Sequence, residues 1–82
     1  MTARPVKRSL TLRGHRTSVS LEEEFWQEFR AIAVEKSLSI NELAAVIDAN
    51  RGVESGLASA MRVYILQQIK ARQRPVSDAP SK

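Results

Sequence analysis

Arg16, Ser18 and Ser20 alternate with Thr17, Val19 and Leu21. In an extended chain successive side chains point to opposite faces, so one face carries an arginine and two hydroxyls and the other carries Val19 and Leu21. A guanidinium offers a planar fork of donors, and a serine hydroxyl both donates and accepts. Groups of this kind, held in a row, can pair with the edges of bases, guanine being the natural partner of the arginine. Lys7, Arg8 and Arg13 add positive charge upstream, suited to phosphates or a minor groove. His15 reads as a surface residue beside Gly14.

The same inventory argues against catalysis. The chain has one histidine and no cysteine, and it carries no glycine-rich phosphate loop. Glu22, Glu23 and Glu24 are consecutive, so on a helix they fan around the axis and do not converge on a substrate. Thiolate metal sites and disulfides are excluded, and His15 alone cannot build a metal centre, so no metal and no cofactor are expected. Phe25, Trp26 and Phe29 could stack on single-stranded bases, but their helical spacing assigns them to a core.

The elements that position these groups follow from spacing. Residues 16–21 alternate as a strand does. Upstream, Ser9-Leu10-Thr11-Leu12 alternates too, but its apolar residues fall on even positions while Val19 and Leu21 are odd. The phase slips by one, with Gly14 the natural place for a bulge or turn. The N-terminal run therefore extends the strand past a bulge, folds back as a hairpin, or remains a mobile arm; the spacing leaves all three open. Phe25, Trp26, Phe29, Ile32 and Ala33 share one face of a helix over Glu22–Lys36, with acids in the first turn where the helix dipole favours them. Ser20 has a rival role here, because Ser20-x-x-Glu23 is a possible capping box. Ser39 and Glu42 form a second box, flanked by Leu38 and Leu43 at hydrophobic-staple positions. Ile40, Leu43, Ala44 and Ile47 give a second helix ending near Asn50 or Arg51, with Gly52 free to turn left-handed. A third helix runs to about Arg72, apolar on more than one face through Leu57, Met61, Val63, Ile65, Leu66 and Ile69, as suits a helix that meets a partner. No internal repeat is evident. Residues 75–82 read as a disordered tail.

Net charge is +4, but residues 1–16 carry +5, residues 22–54 carry −5 and residues 55–74 carry +4. Basic charge segregated beside the candidate strand suits a polyanion. With 82 residues the chain makes one small domain, and without cysteine or metal its remaining support is oligomerisation. No apolar run approaches the roughly 20 residues that span a membrane. A soluble, cytoplasmic protein is expected.

Arg16-Thr17-Ser18-Val19-Ser20-Leu21, Glu23-Glu24-Phe25-Trp26 and Leu38-Ser39-Ile40-Asn41-Glu42-Leu43, in that order, resemble the ribbon-helix-helix family of dimeric DNA-binding proteins, the Arc and MetJ class. The resemblance covers roughly residues 15–51 and is closest to a bacterial subgroup with a longer N-terminus and an added C-terminal helix. It implies a mainly α fold with one short β-strand, whose two-stranded antiparallel ribbon is intermolecular, in an intertwined homodimer. Residues 1–14 would be a basic arm that can be part strand, 15–51 the core and 52–74 the C-terminal helix. By this resemblance Arg16, Ser18 and Ser20 read bases, Ser39, Ile40 and Asn41 hold a phosphate, and double-stranded DNA is the partner in transcription regulation. The alternative is a protein-interaction module, antitoxin-like, that binds another protein through the third helix.

Overall fold

The computed structural model describes residues 4–52 and 55–73. The first three residues of the expected arm, and the expected tail at 75–82, lie outside them. The order is β1 (Pro5–Leu12), β2 (His15–Glu22), α1 (Glu23–Glu35), α2 (Ile40–Asn50) and α3 (Leu57–Gln73).

The strands form one antiparallel hairpin in the register Lys7–Ser20, Ser9–Ser18, Thr11–Arg16 and Leu12–His15. This corrects the expectation of a single strand without a partner in its own chain: β2 pairs with β1. The turn is Arg13-Gly14, with φ of +53° and +86°. Positive φ at both central residues is what a type I′ turn demands, and its twist matches that of the strands. Glycine meets the demand freely, while arginine is strained there. The slip of phase now has its cause. Across a two-residue turn even-numbered residues face odd-numbered ones, so Leu10 and Leu12 join Val19 and Leu21 on a single inner face. All four are buried.

α1 begins as β2 ends. Its cap is Glu22, in extended conformation and without a side-chain capping bond. Ser20 is still within the strand, which removes its rival capping role. Trp26, Phe29, Ile32 and Ala33 are buried on one face, and the Trp26 and Phe29 rings stack at 5.7 Å. Core packing therefore occupies the aromatic residues that a stacking platform would need. The helix closes through Ser37, left-handed at φ +58°. Ser37 N–H donates to Val34 C=O at 3.0 Å and Leu38 N–H to Ala33 C=O at 2.9 Å, the paired bonds of a Schellman motif. Lys36 caps this end; it is not inside the last turn.

The capping box of α2 is fully made. Ser39 Oγ accepts from Glu42 N–H at 3.0 Å, and Glu42 Oε1 accepts from Ser39 N–H at 2.8 Å. Leu43, Ala44 and Ile47 are buried. After Asn50 the chain runs extended at Arg51, and Gly52 does not take the left-handed conformation expected of it. α3 contributes Met61 and Ile65 to the same core. Both are fully covered, whereas Val63 and Leu66 are 53% and 54% exposed. All five elements thus share one core within a single chain. Each large aliphatic or aromatic side chain so buried contributes about 1.5–3 kcal/mol, so support does not fall to oligomerisation alone.

Candidate functional site

Cross-strand partners share a face of a sheet. With Leu10, Leu12, Val19 and Leu21 against the helices, the outer face of the ribbon carries Lys7, Ser9 and Thr11 from β1 and Arg16, Ser18 and Ser20 from β2. All six are exposed, as is Arg13 at the tip of the turn. The three expected base-reading residues therefore stand together on one surface. Ser9 and Thr11 join them from a strand whose alternation was visible but whose pairing was not.

Charge on this face is unspent. Among the described residues Lys7, Arg13 and Arg16 have no carboxylate partner, whereas Arg8, Arg51 and Arg62 each have one and Arg72 has two. Arg8 lies on the inner face opposite Val19. Its guanidinium sits 5.0 Å over the Trp26 ring and pairs with Glu23. The cation expected to meet phosphate beside Lys7 is thus engaged with α1 and separated from the ribbon's outer surface.

The start of α2 abuts the ribbon. Asn41 Oδ1 accepts the backbone N–H of Thr11 at 3.0 Å, which ties the outer edge of β1 to this helix end. The capping box uses the amides of Ser39 and Glu42. The amides of Ile40 and Asn41 belong to the first turn, where no helix carbonyl can reach them. Of the expected phosphate group, then, Ile40 and Asn41 retain open backbone donors, Ser39 is committed to the cap, and the Asn41 side chain positions β1.

On the other edge Arg62 of α3 donates from Nη2 to the Ser20 carbonyl at 3.2 Å and to Glu22 Oε1 at 2.9 Å. Glu22 is held below the ordinary glutamate range, first by its own backbone N–H and then by Arg62, against a small opposing effect of burial. Glu23 is likewise lowered, first by the Gln27 side-chain amide and further by Arg8, against desolvation. Both carboxylates stay charged at neutral pH and anchor the junction between β2 and α1. Sequence reasoning missed Arg62 and the Arg8–Trp26 stack, because pairs so far apart in the chain leave no periodic signal. Neither His15, exposed at the start of β2, nor any group of acids, histidines or cysteines among the described residues forms a metal-binding cluster. No helix among them is long and apolar enough to cross a membrane.

The profile of one family, described as Ribbon-helix-helix domain, matches residues 5–69. Searches of curated proteins and of solved structures return no match.

Proposed function

This chain belongs to the ribbon-helix-helix domain family, and from that premise we propose that it is a sequence-specific DNA-binding protein that regulates transcription as a homodimer. Domains of the family are typically DNA-binding regulators or antitoxins. One observation carries the reading: the outer face of the ribbon gathers hydroxyls with cations that make no ion pair among the described residues. A major groove about 12 Å wide admits a two-stranded ribbon, and Arg16, Ser18 and Ser20 are the side chains that meet base edges in it. Arg13 and Lys7 supply charge to the duplex, and the open amides of Ile40 and Asn41 receive a backbone phosphate, which sets register and not sequence.

Selection from a random duplex library by the purified full-length protein, followed by sequencing, tests this. The expected result is an enriched motif whose binding weakens steeply with added salt. Arg16→Ala lowers discrimination between that motif and a scrambled duplex by about 1–3 kcal/mol. Recovery of unselected sequence, or equal losses on both duplexes, would sink the reading.

A second reading is favoured by a separate surface. Val46 and Val63 line a groove of about 320 Å³ between α2 and α3, and Val46, Val63 and Leu66 are each about half exposed. Such a surface suits another protein, as in an antitoxin. Stable capture of a protein partner with no duplex shift at low salt would favour it over DNA reading.

A further inference from the structure

The inner face of the hairpin is closed at one end and open at the other. Leu10, Val19 and Leu21 are buried against the helices, whereas Thr17 and His15, on the same face of β2 toward the turn, are exposed. Beside them lies a cleft of about 590 Å³ between the hairpin tip, the C-terminal half of α2 and the start of α3. Leu12, Ala45 and Leu57 give it apolar walls. Clefts of roughly 300–1,000 Å³ hold small ligands, with an apolar lining and a few convergent polar groups.

Charge narrows the choice of ligand. Arg13, Arg16 and Arg51 line the cleft together with a single carboxylate, Asp48. Arg51 Nε donates to Asp48 Oδ1 at 2.7 Å, and Nη1 donates to the carbonyls of Gly52 and Ser55. These bonds fix one guanidinium at the end of α2 and mask the one lining group that would repel an anion. Arg13 and Arg16 make no ion pair among the described residues, and the Thr17 hydroxyl and His15 imidazole add further hydrogen-bonding groups. Three arginines against one aspartate leave two positive charges over. That matches a phosphomonoester, which carries about −1.5 to −2 at neutral pH, and guanidinium forks pair with phosphate oxygens two at a time. Inorganic phosphate alone would leave the apolar walls uncovered, so the fitting ligand carries an organic group.

Arg16 belongs to two surfaces. The pleat sets it on the outer face with Ser18 and Ser20, and it also borders the cleft. A guanidinium that grips a phosphate in the cleft is not free to make a bidentate pair with guanine. We propose that this cleft binds a small organic phosphomonoester and that the bound ligand draws Arg16 and Arg13 away from DNA, so that it acts as an effector releasing the protein from its site. The release rests on the DNA-binding reading above; the binding of the ligand does not. Each subunit of the homodimer brings its own cleft.

The experiment titrates full-length, isotope-labelled protein with phenyl phosphate, with inorganic phosphate and benzyl alcohol as controls and ionic strength held constant with sodium chloride. Saturable amide shifts are expected at His15, Thr17, Ala45 and Leu57, with one phenyl phosphate per chain and weaker binding of both controls. Arg16→Ala should weaken phenyl phosphate about tenfold or more, as for a lost hydrogen bond to a charged group. Because Arg16 also serves DNA, the deciding variant is Ala45→Leu, which narrows the cleft from α2. It should abolish the shifts and leave duplex affinity unchanged, with its thermal midpoint as a check on folding. Thr17→Ile should do the same from the opposite wall, so the test survives if one variant fails to fold. At ten times the dissociation constant of phenyl phosphate, wild-type affinity for the selected duplex should fall about tenfold, as mutually exclusive binding requires. Absence of saturable shifts at the cleft, or shifts indifferent to both wall variants, would overturn the site. Binding in the cleft with duplex affinity intact would overturn the release. Equal loss of duplex and ligand in Ala45→Leu would mean that the cleft holds phosphates of the duplex itself, and the proposal falls. If wild type binds no duplex, the release falls with the DNA-binding reading, and the titration still decides the cleft.

Discussion

Lys7 and Arg8 are neighbours in the chain, yet the pleat of β1 sends Lys7 to the outer face of the ribbon and Arg8 to the helices. Among the described residues the outer-face cations Lys7 and Arg16 make no ion pair, while Arg8 is stacked on Trp26 and paired with Glu23. The two surfaces come from alternate residues of one short hairpin. The difference teaches that positive charge at an N-terminus has no single meaning. Parity along the strand decides whether a cation is held for packing or left for a ligand.

The largest effect that can break this division is on the inner face. Leu21 is fully buried, so Leu21→Ala should cost about 2–5 kcal/mol of folding stability, read as a lower urea midpoint. Ser20→Ala, one residue away on the outer face, should stay within about 0.5 kcal/mol of wild type. Comparable losses from both would mean that the faces are not distinct.

A sharper comparison uses the two cations. Arg8→Ala loses an ion pair and a cation–π contact and should cost on the order of 1 kcal/mol of stability, with the salt dependence of duplex binding unchanged. Lys7→Ala should leave stability unchanged and reduce the slope of log affinity against log salt by about one. A reversed pattern would place Arg8, not Lys7, against DNA.

Much of this architecture was legible before any coordinates. The periodicity of Trp26, Phe29 and Ile32 located α1, and the Ser39–Glu42 box located the start of α2, because both signals are local. The alternation at residues 16–21 located β2. What stayed open was the partner of that strand. The shift from Leu10 and Leu12 to Val19 and Leu21 was itself the mark of a two-residue turn, but Arg-Gly is a weak turn signal beside Asn-Gly, since arginine does not favour positive φ. For the candidate site, Arg16, Ser18 and Ser20 were placed by alternation alone, whereas Ser9, Thr11 and the exclusion of Arg8 needed the register.

The turn offers a smaller test in which the two faces should respond with opposite signs. Arg13 holds φ +53°, a conformation asparagine tolerates better. Arg13→Asn should raise stability by a few tenths of a kcal/mol up to about 1 kcal/mol, and it should weaken duplex binding through the lost charge. A change in which both quantities fall would show that Arg13 packs on the fold.

The smallest effect concerns the junction where both faces meet α1. Glu22 and Glu23 are held below the ordinary glutamate range in the folded chain. A depressed carboxylate leaves the unfolded chain binding more protons, so stability rises with pH across the interval between the two values. The contribution is complete above the ordinary glutamate value and is lost as pH falls through the depressed folded values. Arg62→Met removes one source of that depression, the bond to Glu22, together with the bond to the Ser20 carbonyl. The carbonyl does not titrate, nor does the contact of Arg62 over the Phe25 ring at 5.7 Å. Thermal midpoints of wild type and Arg62→Met should therefore differ most at neutral pH, draw closer in acid and still not coincide. Because these groups face solvent, added salt should narrow the pH-dependent part further. A gap that ignores pH would assign the whole effect of Arg62 to the carbonyl and the ring, and would leave the junction held by backbone and packing alone.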